Sequence, residues 1–296
     1  MNTTKSYEDM TKQERREAAQ AKAQAALDRL GDWIRSVWDS EAWRRWLTTL
    51  AKFHDYSLNN SVLIAMQMPE ATRVASYRSW QRDFGRHVKR GERGIEVLVP
   101  MVVKSKLGND EQATQDDEEN AERKRLLGFK VGHVFDVSQT EGEPLPEIAS
   151  QVSADVNDFD SLMGAIEAVS SYPIEVVDGL PPETNGLFSR RMGYIAVRKG
   201  MPEGQTVKTA LHELAHSVMH DANAEELPDR SMREVQAESV AYAVSASLGL
   251  DTSGYSFGYV ASWAVGKTDE EMRACMRIVR DAACQIIDRL QLVMEP

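Results

Sequence analysis

Residues 206–220 read TVKTALHELAHSVMH, and residues 231–243 read SMREVQAESVAYA. The first stretch predicts an amphipathic helix and contains His212, Glu213 and His216 in the order H-E-x-x-H. On a helix, residues four apart project from one face, one turn apart. Two imidazoles placed that way can share one Zn2+ at about 2.0 to 2.1 Å. Glu213 sits beside them, placed to accept a proton from water that the ion polarises and to pass it to a leaving amine. Mn2+ is the alternative ion.

A catalytic zinc keeps three protein ligands and one open position, so a third ligand is expected downstream. The second stretch predicts a helix over 231–248, ended by Gly249, with Glu234 and Glu238 on one face. Either carboxylate could reach across an antiparallel helix pair. Glu234 has another reading, because Ser231-x-x-Glu234 is also a capping box. Glu238 could instead accept the second ring N–H of a ligating His. His220 continues the face of His216 and reads as a structural or supporting residue. Tyr255 or Tyr259 is offered as an oxyanion donor.

Working outward, Thr268 and Glu271 form a capping box for a last helix running to Leu292, and Asp158 to Ser171 predicts another helix. Strand-like runs lie at Pro173–Val177 and Gly193–Val197. In the first half, Lys12–Trp38 reads as a helix. A second helix carries Trp43, Trp46, Leu47 and Leu50, and a third spans Ser57–Met68, stopped by Pro69. Gly94–Lys104 and Gly128–Ser138 are β-branched runs that predict a hairpin, with Pro100 marking a bulge or an edge. Between them, residues 109–125 are acidic and almost without apolar side chains, which predicts a flexible loop.

The chain has 296 residues, 42% of them apolar and 27% charged, ordinary values for a globular protein and enough for two domains. Gly142, Pro144 and Pro146 suggest a linker, so the expected domains are 1–148 and 149–296. No apolar run approaches the ~20 residues of a membrane span, and Met1–Gln20 lacks a signal-peptide core, so a cytoplasmic protein without a membrane partner is expected. Cys275 and Cys284, nine residues apart, read as reduced core residues.

The net charge of −11 is unevenly spread. Residues 1–150 carry 23 Lys and Arg against 24 Asp and Glu, and residues 151–296 carry 12 against 22. Within the first half, Arg73, Arg78, Arg82, Arg86, Lys89, Arg90 and Arg93 outnumber Asp83 and Glu92, and Tyr77, Trp80 and Phe84 are interleaved with them. Rings that stack on bases beside cations that neutralise phosphates are the ingredients of single-strand binding. A basic amphipathic helix with buried aromatics is an equally good reading of the same residues.

Two resemblances bear on these readings. HELAHSVMH followed by Glu234-x-x-Ala237-Glu238-x-x-Ala241 resembles the gluzincin arrangement, in particular minimal peptidase domains of the ImmA/IrrE kind. The resemblance implies Glu234 as third metal ligand and Glu238 as support for a histidine, with GLFSRRMGYIAV (186–197) as the strand hairpin before the helix. YSLNNSVLIAMQMPEATRVASYRSW (56–80), GRHVKRGERGIEVLVP (85–100), FKVGHVFDVSQTEGEPLP (129–146) and GYSFGYVASWAVG (254–266) are similar to antirestriction proteins of the ArdC type.

The resemblance implies an α+β protein with an N-terminal helical domain and small β-sheet that binds single-stranded DNA, and a C-terminal minimal zincin-like metallopeptidase domain. It further implies antirestriction on mobile elements, with protection of incoming DNA. DNA contacts are then expected from Arg73, Tyr77, Arg78, Trp80, Arg86, Lys89, Arg90 and Arg93. Two other functions stay open: a non-catalytic protein that occludes DNA and holds a structural metal, and a regulatory peptidase that cleaves a protein substrate such as a repressor.

Overall fold

The computed structural model describes residues 10–37, 40–105, 123–145, 159–222, 227–255, 257, 260 and 264–294. Most of the acidic loop expected at 109–125, the domain boundary expected near 148, and Tyr259 lie outside them.

Helix α1 (Lys12–Ser36) starts at a capping box: the Thr11 hydroxyl accepts the Glu14 N–H and the Glu14 carboxylate accepts the Thr11 N–H, at 3.2 and 2.7 Å. It buries Ala23, Ala26, Leu30 and Ile34, and α2 (Ser40–Lys52) buries Trp43, Trp46, Leu47 and Leu50. Helix α3 (Leu58–Gln67) is N-capped by Ser57.

The chain then forms β1 (Val74–Ser76), α4 (Tyr77–Asp83), β2 (Arg86–Val88), β3 (Ile95–Ser105), β4 (Arg123–Asp136) and β5 (Thr140–Gly142). β3 and β4 pair antiparallel from Ile95↔Val134 to Ser105↔Arg123, and the register shifts between Met101 and Val102, next to Pro100. The sheet order is β1-β4-β3, so β3 is an edge and the missing N–H of Pro100 costs no inner ladder bond. β2 and β5 make a separate two-stranded sheet.

The second half runs α5 (Phe159–Val169), β6 (Ile174–Val177), β7 (Gly186–Ser189), β8 (Tyr194–Arg198), α6 (Glu203–Met219), α7 (Arg230–Ser247) and α8 (Asp269–Met294). Its sheet has the order β6-β8-β7, with β6 parallel and β7 antiparallel to β8. The capping box expected at Thr268 and Glu271 starts α8, with bonds of 2.8 and 3.2 Å.

The protein is therefore α+β, and one apolar cluster runs through both halves. Trp43 donates its indole N–H to the Ser239 hydroxyl on α7 at 2.9 Å, and the Thr48 and Tyr242 hydroxyls meet at 2.9 Å. A buried Trp removes about 150–250 Å2 from water, about 4–6 kcal/mol at the usual area coefficient. The helix that carries Glu234 and Glu238 is thus seated on the N-terminal helices. No described helix is long and apolar enough to cross a membrane.

Candidate metal centre

α6 presents His212 and His216, and their Nε2 atoms lie 3.1 Å apart. Glu234 on α7 brings Oε2 to 3.4 Å from His212 Nε2 and 3.8 Å from His216 Nε2. Ligand atoms about 2.0–2.1 Å from a tetrahedral ion are separated by about 3.4 Å, so these three atoms have the spacing of one coordination face. Glu238, one turn further along α7, lies against the other side of the His212 ring, with Oε2 3.1 Å from Nδ1. The capping-box reading of Glu234 is overturned: Asp229, not Ser231, caps α7, accepting the Met232 N–H at 2.9 Å and the Ser231 hydroxyl at 2.6 Å. Glu234 is thereby left free to face the imidazoles.

The surrounding hydrogen bonds fit an ion between the Nε2 atoms. Gln236 Oε1 lies 2.9 Å from His220 Nε2, and His220 Nδ1 lies 2.9 Å from His216 Nδ1. If His220 donates Nε2–H to Gln236, its Nδ1 accepts the Nδ1–H of His216; Glu238 accepts that of His212. Both ligand candidates then turn an Nε2 lone pair to the same point. Burial pushes His220 down to about 4, keeping it neutral as this relay requires.

The cluster favours positive charge. Burial opposes protonation of His212, yet its bonds to Glu234 and Glu238 carry it up to about 9. Glu234 is drawn well below the carboxylate range by His212 and then His216. Burial pushes Glu238 up, but His212 and Lys208, 3.3 Å away, outweigh it. A divalent cation fits this donor set.

Glu213 is 92% buried, and its Oε2 accepts the Phe188 backbone N–H at 2.7 Å. Burial raises its pKa, and the adjacent imidazoles oppose the rise. The approach of β7 depends on Gly186: a Cβ there would lie 2.5 Å from Thr209 Cγ2, 2.8 Å from Glu213 Cγ and 2.9 Å from Glu213 Oε1. The sequence reading missed Gly186, Phe188 and Gln236. A buried Gln in an otherwise apolar helix face was the one available signal. β7 with α6 and α7 encloses a cleft of about 700 Å3.

Tyr255 does not serve this cleft. It is buried, its hydroxyl meets the Ser245 hydroxyl at 2.8 Å and donates to the Ala241 carbonyl at 3.2 Å, and burial pushes its pKa up. Cys275 is a buried free thiol pushed up to about 12, and Cys284 donates to the His54 carbonyl at 3.0 Å. His54 Nε2 also stands 3.4 Å from Asp288 and 3.9 Å from the exposed Asp55. Its Nδ1 is buried without a partner, whereas a ligating imidazole ordinarily donates its other ring N–H to an acceptor, so this group lacks the support that His212 and His216 have.

The basic segment is arranged differently. Trp80 is completely buried and donates its indole N–H to the Phe135 carbonyl at 2.7 Å, so the stacking role expected of it is corrected to a core role. Its ring packs on Phe84 at 5.0 Å. Arg86 is half-buried and bonds to the Thr140 hydroxyl and to carbonyls of Thr140, Gly142 and Glu143, closing β2 onto β5. Lys89 donates to the Ser138 carbonyl at 2.9 Å. Arg78, Arg90 and Arg93 are exposed, Arg73 is half-buried, and Tyr77 is 52% exposed.

Residues 11–135 match the family model of the N-terminal domain of anti-restriction factor ArdC. The chain carries an ArdC-type N-terminal domain. The candidate metal centre lies outside the matched residues. An uncharacterized protein of Bacillus anthracis is 28% identical over 79% of the chain, and the chain spans 45% of that protein's length. Two crystal structures of the antirestriction ArdC protein from the R388 plasmid are also similar. The metal-free one is 21% identical, covers 81% of this chain and 84% of that one, and has a TM-score of 0.45. The Mn(II)-bound one is 19% identical, covers 92% and 96%, and has a TM-score of 0.47.

Proposed function

We propose that this ArdC-type chain is an antirestriction protein of a mobile element, which binds single-stranded DNA through its N-terminal half and carries a metallopeptidase-like centre in its C-terminal half. The convergence of His212, His216 and Glu234 beside the buried Glu213 carries the second part. A divalent ion held by those three, Zn2+ or Mn2+, supplies Lewis acidity. Glu238 and His220 orient the two rings. Glu213, held by the Phe188 N–H on Oε2, is the carboxylate that takes a proton from water and returns it to the leaving amine. The exposed Arg78, Arg90 and Arg93, with Lys89, Arg73 and Tyr77, supply the cations and the ring for a DNA strand.

Metal analysis of wild type beside His212→Ala, His216→Ala and Glu234→Ala tests the centre: about one ion per wild-type chain and loss in each variant is expected. Titration of labelled single strands across a salt series tests the other half, with binding expected to weaken steeply as salt rises. A flat salt response sinks it.

The bond from Phe188 and the contact of Gly186 also favour a second reading, in which Glu213 is a structural carboxylate and the protein acts by covering DNA. A Glu213→Ala protein that keeps its metal and keeps antirestriction supports covering. One that keeps its metal and loses antirestriction supports hydrolysis of a protein substrate.

A further inference from the structure

Four cationic side chains line the metal cleft, and three of them have carboxylate neighbours. Lys208 Nζ lies 3.3 Å from Glu238 and donates to the Gly254 carbonyl at 2.7 Å. Arg190 Nε lies 2.9 Å from Asp221. Arg230, largely exposed, has Glu234 at 4.0 Å. Arg233 differs. No ion pair holds it among the described residues, and its Nε is buried without an acceptor.

No described carboxylate of the cleft, the exposed Glu183 included, is ion-paired with it. Glu213 is bound by the Phe188 N–H, Glu234 faces the two imidazoles, and Glu238 is shared between His212 and Lys208. A buried polar hydrogen left unmatched is destabilising, and more so on a charged group, so a half-buried guanidinium with an open Nε is a ready receptor for an anion. Arg233 lines the cleft with Ala222 and Leu227, one residue before the candidate ligand Glu234. An anion held there would sit beside the metal centre.

We infer that Arg233 receives an acidic side chain of a peptide bound in the cleft, so that the centre prefers a substrate with Asp or Glu near the bond presented to the metal. The inference rests on the metallopeptidase-like reading above. A carboxylate matches the planar guanidinium fork, and a cleft of about 700 Å3 has the volume for a few residues of chain.

The test uses metal-loaded protein carrying Glu213→Gln, so that the peptide is bound and not consumed. Five acetylated, amidated pentapeptides of alanine, with one Glu walked from the first to the fifth position, are compared by calorimetry with their Gln counterparts. At least one Glu peptide is expected to bind about tenfold more tightly than its Gln partner, as a charge-assisted bond implies. Added Arg233→Met should bring that ratio to about one at unchanged metal content and melting temperature, Arg233→Lys should keep part of it, and Arg230→Met should leave it.

Equal binding in every pair, binding of neither, or a ratio that survives Arg233→Met overturns the inference. So does a thymidine pentanucleotide that competes for the site and itself needs Arg233, which assigns the subsite to a nucleic-acid phosphate. Loss of the metal-binding result for His212, His216 and Glu234 fails the underlying reading instead, and metal analysis separates the two failures.

Discussion

In the cleft between α6 and α7 the polar side chains turn towards one another, whereas in the segment from Arg73 to Arg93 they turn apart. His212 and His216 leave the same helix face four residues apart, so backbone geometry puts both rings on one side, where their Nε2 atoms lie 3.1 Å apart. The aromatic and basic residues of the other segment have no such constraint. Trp80 faces the core, and Arg86 is spent on the carbonyls of the β2–β5 corner. Spacing enforced by a helix survives folding. A composition of rings and cations is sorted by it.

Mutation of the two regions should sharpen this contrast, and the largest effect belongs to the metal ligands. His216→Ala should weaken metal binding by more than about 100-fold, because losing even a residue that orients a ligand costs 10–100-fold. Glu238→Ala and His220→Ala should fall within that 10–100-fold range. The measurement is competition against a chelator of known affinity. If Glu238→Ala proves as damaging as Glu234→Ala, their assigned places are interchangeable and the geometric distinction between them fails.

In the basic segment the largest effect should be on stability. Trp80→Ala should lower unfolding free energy by about 3–5 kcal/mol, the usual cost of deleting a buried Trp, read by denaturant titration. Arg78→Ala, on the exposed side of the same helix, should change it by less than about 0.5 kcal/mol. If Trp80→Ala folds as stably as wild type and only DNA binding falls, the inward placement of that ring is wrong.

A smaller effect is expected at Asp136, which fixes the start of β1 to the end of β4. It is 2% exposed and accepts N–H bonds from Thr72, Arg73 and Ser138 at 2.7, 3.0 and 3.0 Å. Burial pushes its pKa up, but those three donors outweigh it and the net shift is downward from 3.8. A depressed carboxylate contributes stability above its unfolded value and loses it as pH falls through the folded one. Wild type should therefore lose stability below about pH 4, and Asp136→Asn, costing about 1–3 kcal/mol at pH 7, should flatten that loss. Parallel wild-type and variant curves between pH 2 and 5 would refute it.

How much was legible follows from the same distinction. The long helices, the β3–β4 hairpin and its irregularity by Pro100, and the pair His212 and His216 could be read because each rests on a local period or spacing, whereas spacing left Glu234 and Glu238 equally open and only the family resemblance pointed to Glu234. β1, β2 and β5 have three residues apiece, too few to display a period, and exist because long-range partners complete their ladders. Gly186 and Phe188 act on Glu213 across 25 residues or more of chain through backbone atoms, and backbone atoms leave no mark on residue type. Ser231 offered a sound cap, yet Asp229 took the place two residues earlier, a competition that sequence spacing does not decide. Arg233 was passed over because an arginine on a surface helix is ordinary until its neighbours are known.

The smallest expected effect tests whether the outward half of the basic segment does what the inward half cannot. Arg90 and Arg93 are exposed at the turn before β3. In single strands each phosphate contact contributes about 0.7 to the slope of log affinity against log salt. Arg90→Ala with Arg93→Ala should therefore reduce that slope by about 1.4 without moving the melting temperature. Arg86→Ala should do the reverse, lowering stability because four acceptors lose their donor while the slope changes little. If all three arginines shift the slope alike, the division of this segment into a structural side and a binding side does not hold, and Arg86 must leave its carbonyls when DNA arrives.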